Sequence, residues 1–424
     1  MPLWTLRRLM ALLAATVGSR VVVAAFLGVT GYPQWWEYDV IAYNISHGLG
    51  HAYDRVGFTY LAYSPPVWSY ILAVLRLLPG LDHLAIQAFQ TLCCFVSAAM
   101  FGGIGRQISG DEHTGLMTGF VVALQPSLLY YSVVKSDPLP LNCLLLGMII
   151  LAGLALLQHP DPRLSALFGL LLALGVLSRG TPIVALPVIS LALWRRHGLP
   201  RAALHTMIAI AFLAMGLAPW LVRNQRLIGR ALITSTAGEN FWRGNHEGAT
   251  GGVVDVDGGL ITTLIPSNEA LPDSVRGVLR NGTEVDRQDV FMNEGLEFVV
   301  HHPGDAAALF ARKMRTFWWR IDSDPSDYSS VTSAVYEIVY RIELALALVG
   351  LTVIWRGSSA GVTATDREAG MVVLGIMLAV SVLQSAFYVQ GRHRFLIEPI
   401  LMIFTAAGLS WLGTCWTRRR DAAR

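Results

Sequence analysis

Ten runs of this chain are candidates for crossing a bilayer: 9–28, 84–105, 114–131, 138–157, 164–178, 181–194, 204–222, 334–355, 370–390 and 395–414. No other feature constrains the fold as tightly. A helix of about 20 mostly apolar residues spans the hydrocarbon core. Hydrocarbon offers no water to the backbone, so each run must satisfy its own N–H and C=O groups as a helix. The expected fold is an α-helical polytopic membrane protein with about ten transmembrane helices. The fifth and sixth runs are short, and Arg179 and Pro182 between them predict a tight hairpin at one membrane face. The run 66–79 opens at Pro65-Pro66 and carries Arg76; it reads as an interfacial helix, with an eleventh span as the alternative.

Charge explains why the apolar runs cannot be the core of a soluble protein. Charged residues are 14% of the 424, against roughly 25% in soluble domains, too few to coat a water-soluble globule of this size. That excludes a soluble enzyme, a disordered chain, a collagen-like fibre and a disulfide-stapled secreted domain. Of 61 charged residues, 26 lie within 223–333, about the density of a soluble domain. The organisation expected is an N-terminal membrane module 1–222, an exterior domain 223–333 and a C-terminal membrane module 334–424. A net charge of +3 gives no reason to expect nucleic acid. Basic residues are 30 Arg and two Lys, a genomic rather than functional bias. Cys93, Cys94, Cys143 and Cys415 all fall outside the insert, so no disulfide framework or Cys-based metal site is expected there.

Clusters of arginine set the sidedness. Arg7 and Arg8 precede the first run, Arg195, Arg196 and Arg201 follow the sixth, and Arg418, Arg419 and Arg420 follow the tenth. Ten spans place all three clusters, and both termini, in the cytoplasm of a cell that holds the protein in its inner or plasma membrane. The first run reads as an uncleaved signal anchor. The first loop, 29–83, and the insert then face outward.

That outer face collects the polar residues that carry chemistry. Residues 36–47 predict a short helix ended by Gly48 and Gly50, with Tyr38, Ile41, Ala42 and Ile45 as its apolar stripe. Glu37 and Asp39 sit two apart on it, so they point in different directions. Asp137 precedes Pro138 where the fourth run opens, a natural helix-capping pattern as well as a candidate acid. Lys135, Arg179, Arg392 and Arg394 fall at the same outer boundary, where short connections normally avoid basic residues. An anion at headgroup depth accounts for them, because arginine holds phosphate through paired charge-assisted hydrogen bonds; contact with anionic lipid headgroups is the plainer account.

The segments EYDVIAYNISHGLG and YSPPVWSYILAVL, then KSDPLPLN, LSRGTP, GENFWRGNHEGATG and RHRFLIEP in order, resemble the GT-C class of membrane glycosyltransferases, nearest the protein O-mannosyltransferase and lipid A aminoarabinose transferase family. Glu37, Tyr38, Ala42, Asn44, Gly48, Gly50, Pro65 and Pro66 occupy the places of the family's first-loop motif. Many members carry an Asp-Glu pair where Gln34 and Trp35 stand, and the acid here has moved to Glu37, as in a subgroup with E-Y-x-x-I-A. The resemblance implies a GT-C-like fold and transfer of a monosaccharide from a polyprenyl-phosphate donor to an exterior hydroxyl, with inversion. The acceptor would be a glycan, a glycolipid or a protein, and membrane lipids surround the chain. Glu37 or Asp39 would be the base and Asp137 a second functional acid. Arg392, Arg394, Arg179 and Lys135 would hold the phosphate, and Tyr38, Asn44, Tyr63, Pro65, Pro66 and Asn245 would line the substrate cavity. No cofactor and no metal is implied.

Two other readings stay open: a lipid or glycolipid transporter, and an inactive scaffold of the same fold. Several features read as structure. Glu337 and Arg341 form a favourable helical pair, and Arg20 is a partner for Glu343 or Glu398 across the bundle. His301-His302 lacks the neighbours a metal needs. In the insert, 223–235 alternates enough for a short strand, and 286–318 predicts two amphipathic helices interrupted at Pro303.

Overall fold

The computed structural model describes residues 3–78, 80–252, 268, 271–319, 330–356 and 364–422. Seven of its helices are long and apolar enough to cross a membrane: Leu6–Leu27, Asp82–Ser109, Leu139–Gln158, Leu199–Ile228, Ser333–Arg356, Asp366–Ala386 and Glu398–Thr417. An eighth span forms if Glu112–Ala123 and Pro126–Val133, bent by 41° at their junction, count as one. The other two apolar runs are helical but shorter, Pro162–Ser178 and Ala185–His197, the latter entered through a 3₁₀ turn at Thr181–Val184. Every run read from the sequence is thus helical, whereas the length test supports seven or eight spans among the described residues. Pro66–Leu75 is a ten-residue helix with Pro66 at its first turn, too short to span alone.

Local chemistry accounts for these boundaries. Thr5 caps the first helix by accepting from the Arg8 amide, and Gly28, in the left-handed conformation (φ 67°), closes it. Asp111 and Asp161 cap the helices that follow them. Pro126 breaks its span because it lacks an N–H and clashes with the preceding turn. Arg20 compensates at that break: its Nη1 donates to Ala123 O at 2.8 Å and to Thr16 O at 3.1 Å, and its Nε to Ser132 Oγ at 3.1 Å. It therefore does not pair with Glu343 or Glu398, the partners expected for it. Those two acids instead accept from one amide, Gln125 Nε2, at 3.1 and 3.0 Å. Glu337 and Arg341 do pair, at 2.7 Å.

Small residues allow the helices to touch. A methyl group at Gly350 would lie 1.8 Å from Phe404 O, and one at Gly408 would lie 2.2 Å from Leu346 O. The last helix and Ser330–Arg356 thus meet backbone to backbone, which dispersion and close packing favour within a membrane. One end of the bundle is tied by the Arg8–Glu112 and Arg196–Glu368 ion pairs. The other end carries the loops and the short helices.

At that second end, Leu199–Ile228 takes the first half of the segment expected to be a strand, with 223–228 as the helix's C-terminal end, and no strand follows before 237. The two helices expected around Pro303 are present as Glu284–His301 and Pro303–Trp319. Ala237–Arg243 and Asp273–Asn281 pack beside the first of these, around a small core of Trp242, Leu271, Val275, Leu279 and Phe291. The first loop forms the helix Glu37–Ser46 and an unforeseen hairpin, Tyr53–Arg55 with Phe58–Tyr60, which turns at Gly57 (φ 74°).

Candidate active site

The loop ends are fixed before any cavity can form. Gln34 and Lys135 make an isolated parallel bridge: Gln34 N donates to Val134 O at 2.7 Å, and Ser136 N donates to Gln34 O at 3.0 Å. Two buried glutamines on Asp82–Ser109 hold both strands of this bridge from below. Gln90 Nε2 lies 3.0–3.1 Å from the carbonyls of Tyr131, Lys135 and Asp137. Gln87 Nε2 donates to Val29 O and Val133 O, and its Oε1 accepts from Gly31 N. On the far side, the Glu284 carboxylate accepts from Leu61 N at 2.7 Å and Ala62 N at 2.8 Å. The loop that carries Tyr63 and Pro65 is thereby fastened to the helix Glu284–His301.

Between these anchors lies a cavity of about 390 Å³. Trp36, Glu37 and Tyr38 enter it from the first loop, Asp137, Leu139 and Asn142 from the fourth apolar run, and Ser178 and Arg179 from the hairpin after the fifth. Arg392 and His393 come from the short helix Gly391–Phe395, and Glu239, Asn240 and Arg243 from Ala237–Arg243. With Tyr131 from Pro126–Val133, six separated stretches of sequence meet in one chamber.

Burial dominates the electrostatics. It pushes the Glu37 carboxyl above its ordinary value; Arg392 opposes the rise, and the neighbouring Asp137 adds to it. Asp137 is raised by the same cause, against Arg392, the Leu139 amide, Arg179 and Lys135. Its Oδ1 also accepts from Leu139 N at 2.8 Å, so it caps the fourth run while facing the cavity. His393 is held well below its usual range by burial, with Arg179 and Arg392 adding to the effect. Its Nδ1 accepts from Gln390 N at 3.1 Å, so the neutral ring carries its proton on Nε2.

Of the residues singled out in the sequence, Glu37, Tyr38, Tyr63, Pro65, Asp137, Arg179 and Arg392 line this chamber. The others do not. Asp39 is fully buried behind the helix, where it accepts from Trp36 N at 3.0 Å and pairs with Arg76 at 3.2 Å. The guanidinium of Arg76 also lies 4.2 Å over Trp35, one of the two positions that depart from the family pattern. Lys135 Nζ sits 4.6 Å from the Trp36 ring centroid, behind the wall. Arg394 turns the opposite way to Arg392: it donates to Phe317 O at 2.9 Å, lies 3.6 Å from Glu398 and covers Tyr340. It holds the short helix rather than facing the cavity. Asn44 bonds Ala52 O, and Asn245 staples Phe241 O and Ala386 O while accepting from Lys313. Pro66 is buried at the start of its helix.

The insert does wall the cavity, but with residues that the sequence reading did not name. Glu239 accepts from Arg55 Nη1 at 3.0 Å and from Arg243 Nη2 at 2.5 Å, and all three line the cavity. Asn142, Ser178 and His393 were missed as well. All three lie inside motifs already quoted, so proximity in sequence to Asp137, Arg179 and Arg392 was the available signal.

The arrangement is a GT-C-like polytopic membrane fold with a polar, mixed-charge chamber at one end of its helices. A family model described as dolichyl-phosphate-mannose-protein mannosyltransferase matches residues 63–222. Among solved structures the chain is similar to the archaeal oligosaccharyltransferase AglB from Archaeoglobus fulgidus, solved in complex with an inhibitory peptide and a dolichol-phosphate. The TM-score is 0.53 at 13% identity, over 99% of this chain and 52% of that one. This chain therefore spans about half the length of that protein, and at this identity the likeness concerns the fold. No curated protein matches the chain.

Proposed function

We propose that this protein is an integral-membrane glycosyltransferase that moves a monosaccharide from a polyprenyl-phosphate donor to an acceptor hydroxyl on the exterior face, with inversion. The observation that carries the reading is the meeting of two carboxylates, half-buried Glu37 and buried Asp137, with two guanidinium groups, Arg179 and Arg392, in one chamber. A transfer reaction with a phosphate leaving group needs that combination. The acceptor oxygen attacks the anomeric carbon, and the bond from that carbon to the phosphate oxygen breaks with its electron pair going to phosphate. Arg392 and Arg179 stabilise the charge that develops there. The hydroxyl proton passes to Glu37 late in the step, because an alcohol is a far weaker acid than a carboxyl group.

Glu37 takes the role of base in preference to Asp39 because Glu37 lines the chamber and Asp39 is spent on Arg76 and the Trp36 amide. Asp137 orients the acceptor and raises the affinity of Glu37 for a proton. Lipid phosphate as donor is supported by the matching family's description and by the dolichol-phosphate bound to the structurally similar enzyme. The residues that line the chamber gather at one end of the bundle, which favours transfer over transport.

The test is transfer of radiolabel from polyprenyl-phosphate sugars to membrane acceptors by the purified protein in nanodiscs. Transfer by the wild type and its loss in Glu37→Gln, with folding intact, are expected. Absence of transfer from every lipid-linked sugar, or undiminished transfer in Glu37→Gln, would overturn the assignment.

A further inference from the structure

We infer that Asn142 binds the phosphate of the lipid-linked substrate, a role that rests on the transferase reading above. Asn142 lies one turn into Leu139–Gln158 and shares its cavity face with Pro138 and Leu139, as residues three and four apart on a helix do. The residue is 1% exposed. Its Oδ1 accepts from Ser178 Oγ at 2.6 Å, while its Nδ2 has no hydrogen-bond partner among the described residues. A buried amide left half-satisfied carries its full desolvation cost and calls for a partner that the protein does not supply.

The surroundings say which partner. Ser178 is the last residue of Pro162–Ser178, and Arg179, next in the chain, lines the same chamber with Arg392. Asn142 Nδ2 and the two guanidinium groups can only donate hydrogen bonds. A phosphate oxygen only accepts, so it suits each of the three. A sugar hydroxyl both donates and accepts, and Glu37, Asp137 and Glu239 offer it the complementary acceptors along the chamber wall. The chamber therefore includes three donor-only groups suited to an anion, with Asn142 as the neutral one. Being uncharged, the amide binds the phosphate in substrate and product alike, and the arginines respond to the charge that grows as the bond breaks.

Binding of polyprenyl phosphate without a sugar, measured by calorimetry in nanodiscs, tests this directly. Asn142→Ala should weaken that binding by roughly 10- to 100-fold, the range for losing a hydrogen bond to a charged group. Asn142→Asp, of the same shape, should weaken it further by placing a carboxylate against the anion. Ser178→Ala removes the donor to Asn142 Oδ1 but leaves Nδ2 in place, so it should weaken binding less than Asn142→Ala does. If polyprenyl phosphate binds Asn142→Ala as tightly as wild type while the sugar-bearing donor binds less well, the amide contacts the sugar and the inference is wrong. Equal losses in Ser178→Ala and Asn142→Ala, tracking lower thermal stability, would reduce Asn142 to a helix tether and also overturn it. Should Asn142→Ala not fold, Asn142→Asp is read in its place by the same criteria. Failure of the wild type to bind polyprenyl phosphate would count against the transferase reading itself, so the two failures are distinguishable.

Discussion

The guanidinium of Arg392 lies over the indole of Trp36, with Cζ 5.1 Å from the ring centroid. Trp36 is the residue immediately before the helix that Glu37 opens. One ring thus joins the segment that carries the proposed base to the segment that carries the proposed phosphate ligand, although 356 positions separate Trp36 from Arg392 in the chain. Lys135 approaches the same ring from the Asp137 loop, at 4.6 Å. A cation over a tryptophan face in a desolvated setting is worth about 2 kcal/mol, enough to decide which rotamer Arg392 keeps.

Trp36→Ala removes that shared surface and leaves Glu37 and Arg392 in place chemically. We expect kcat to fall by about 100-fold, the effect of an ångström-scale misplacement of reacting groups. Trp36→Phe keeps a π face and should retain most of the rate. Steady-state kinetics on the two variants, normalised to folded protein, checks this ordering; equal losses would remove the ring from the positioning role.

The pH dependence follows from burial. A base works only when deprotonated, and burial holds the Glu37 carboxyl above its ordinary value of 4.5. The rate should therefore rise with pH, with a half-point above 4.5. Asp137 raises Glu37, so Asp137→Asn should move the half-point of the residual activity to lower pH. Arg392 lowers Glu37, so Arg392→Ala should move it to higher pH while turnover falls roughly 100- to 1,000-fold through lost charge stabilisation. Profiles of kcat/KM for the three proteins give the signs; shifts in the reverse sense would exclude Glu37 as the titrating base.

Asp39 should behave differently. Its carboxylate is fully buried against Arg76, and breaking such a pair from one side costs about 3 kcal/mol, because the other charge stays behind. Asp39→Asn should lower the thermal midpoint, and molecules that remain folded should still transfer sugar. Glu37→Gln should show the opposite pattern, full stability without transfer. Thermal unfolding paired with activity per folded molecule separates the two acids, which the sequence alone left equivalent.

Why the sequence left them equivalent is instructive. The apolar runs were legible because hydrocarbon leaves a helix as the only local solution, whatever the rest of the chain does. Arg179, Arg392 and Asp137 were legible because charge is rare at that boundary, so each instance asked for a reason. Glu37 and Asp39 share one short helix, and only Arg76, on another element, decides which of them is tied up. Arg394 carries the same sequence signal as Arg392, yet Phe317 O and Glu398 claim it. Asn44 and Asn245 look like cavity residues until the carbonyls of Ala52 and Ala386 arrive. Gln87 and Gln90 carried no signal at all, and Glu239 none beyond its place in a quoted motif, since their partners are backbone groups or arginines brought close only by folding. What composition cannot show is which polar group meets which.

Glu284 gives the last expectation and the one least suggested by its position, 223 residues from the loop it holds. Its two oxygens each take one backbone N–H, from Leu61 and Ala62, and the residue is 5% exposed. Charge-assisted bonds of this kind contribute about 1.5–3 kcal/mol each. In Glu284→Gln one oxygen becomes an NH₂ group facing an N–H, so one bond is lost and two hydrogen-bond donors are opposed. Tyr63 and Pro65, a few residues along from the released amides, should then wander from the cavity wall. We expect kcat/KM to fall about 10-fold and the Leu61 and Ala62 amides to exchange hydrogen faster. Glu284→Asp, too short to reach both amides, should show the same pattern. A kinetic loss without faster exchange at those two amides would mean that Glu284 acts on the reaction by some route other than this strap.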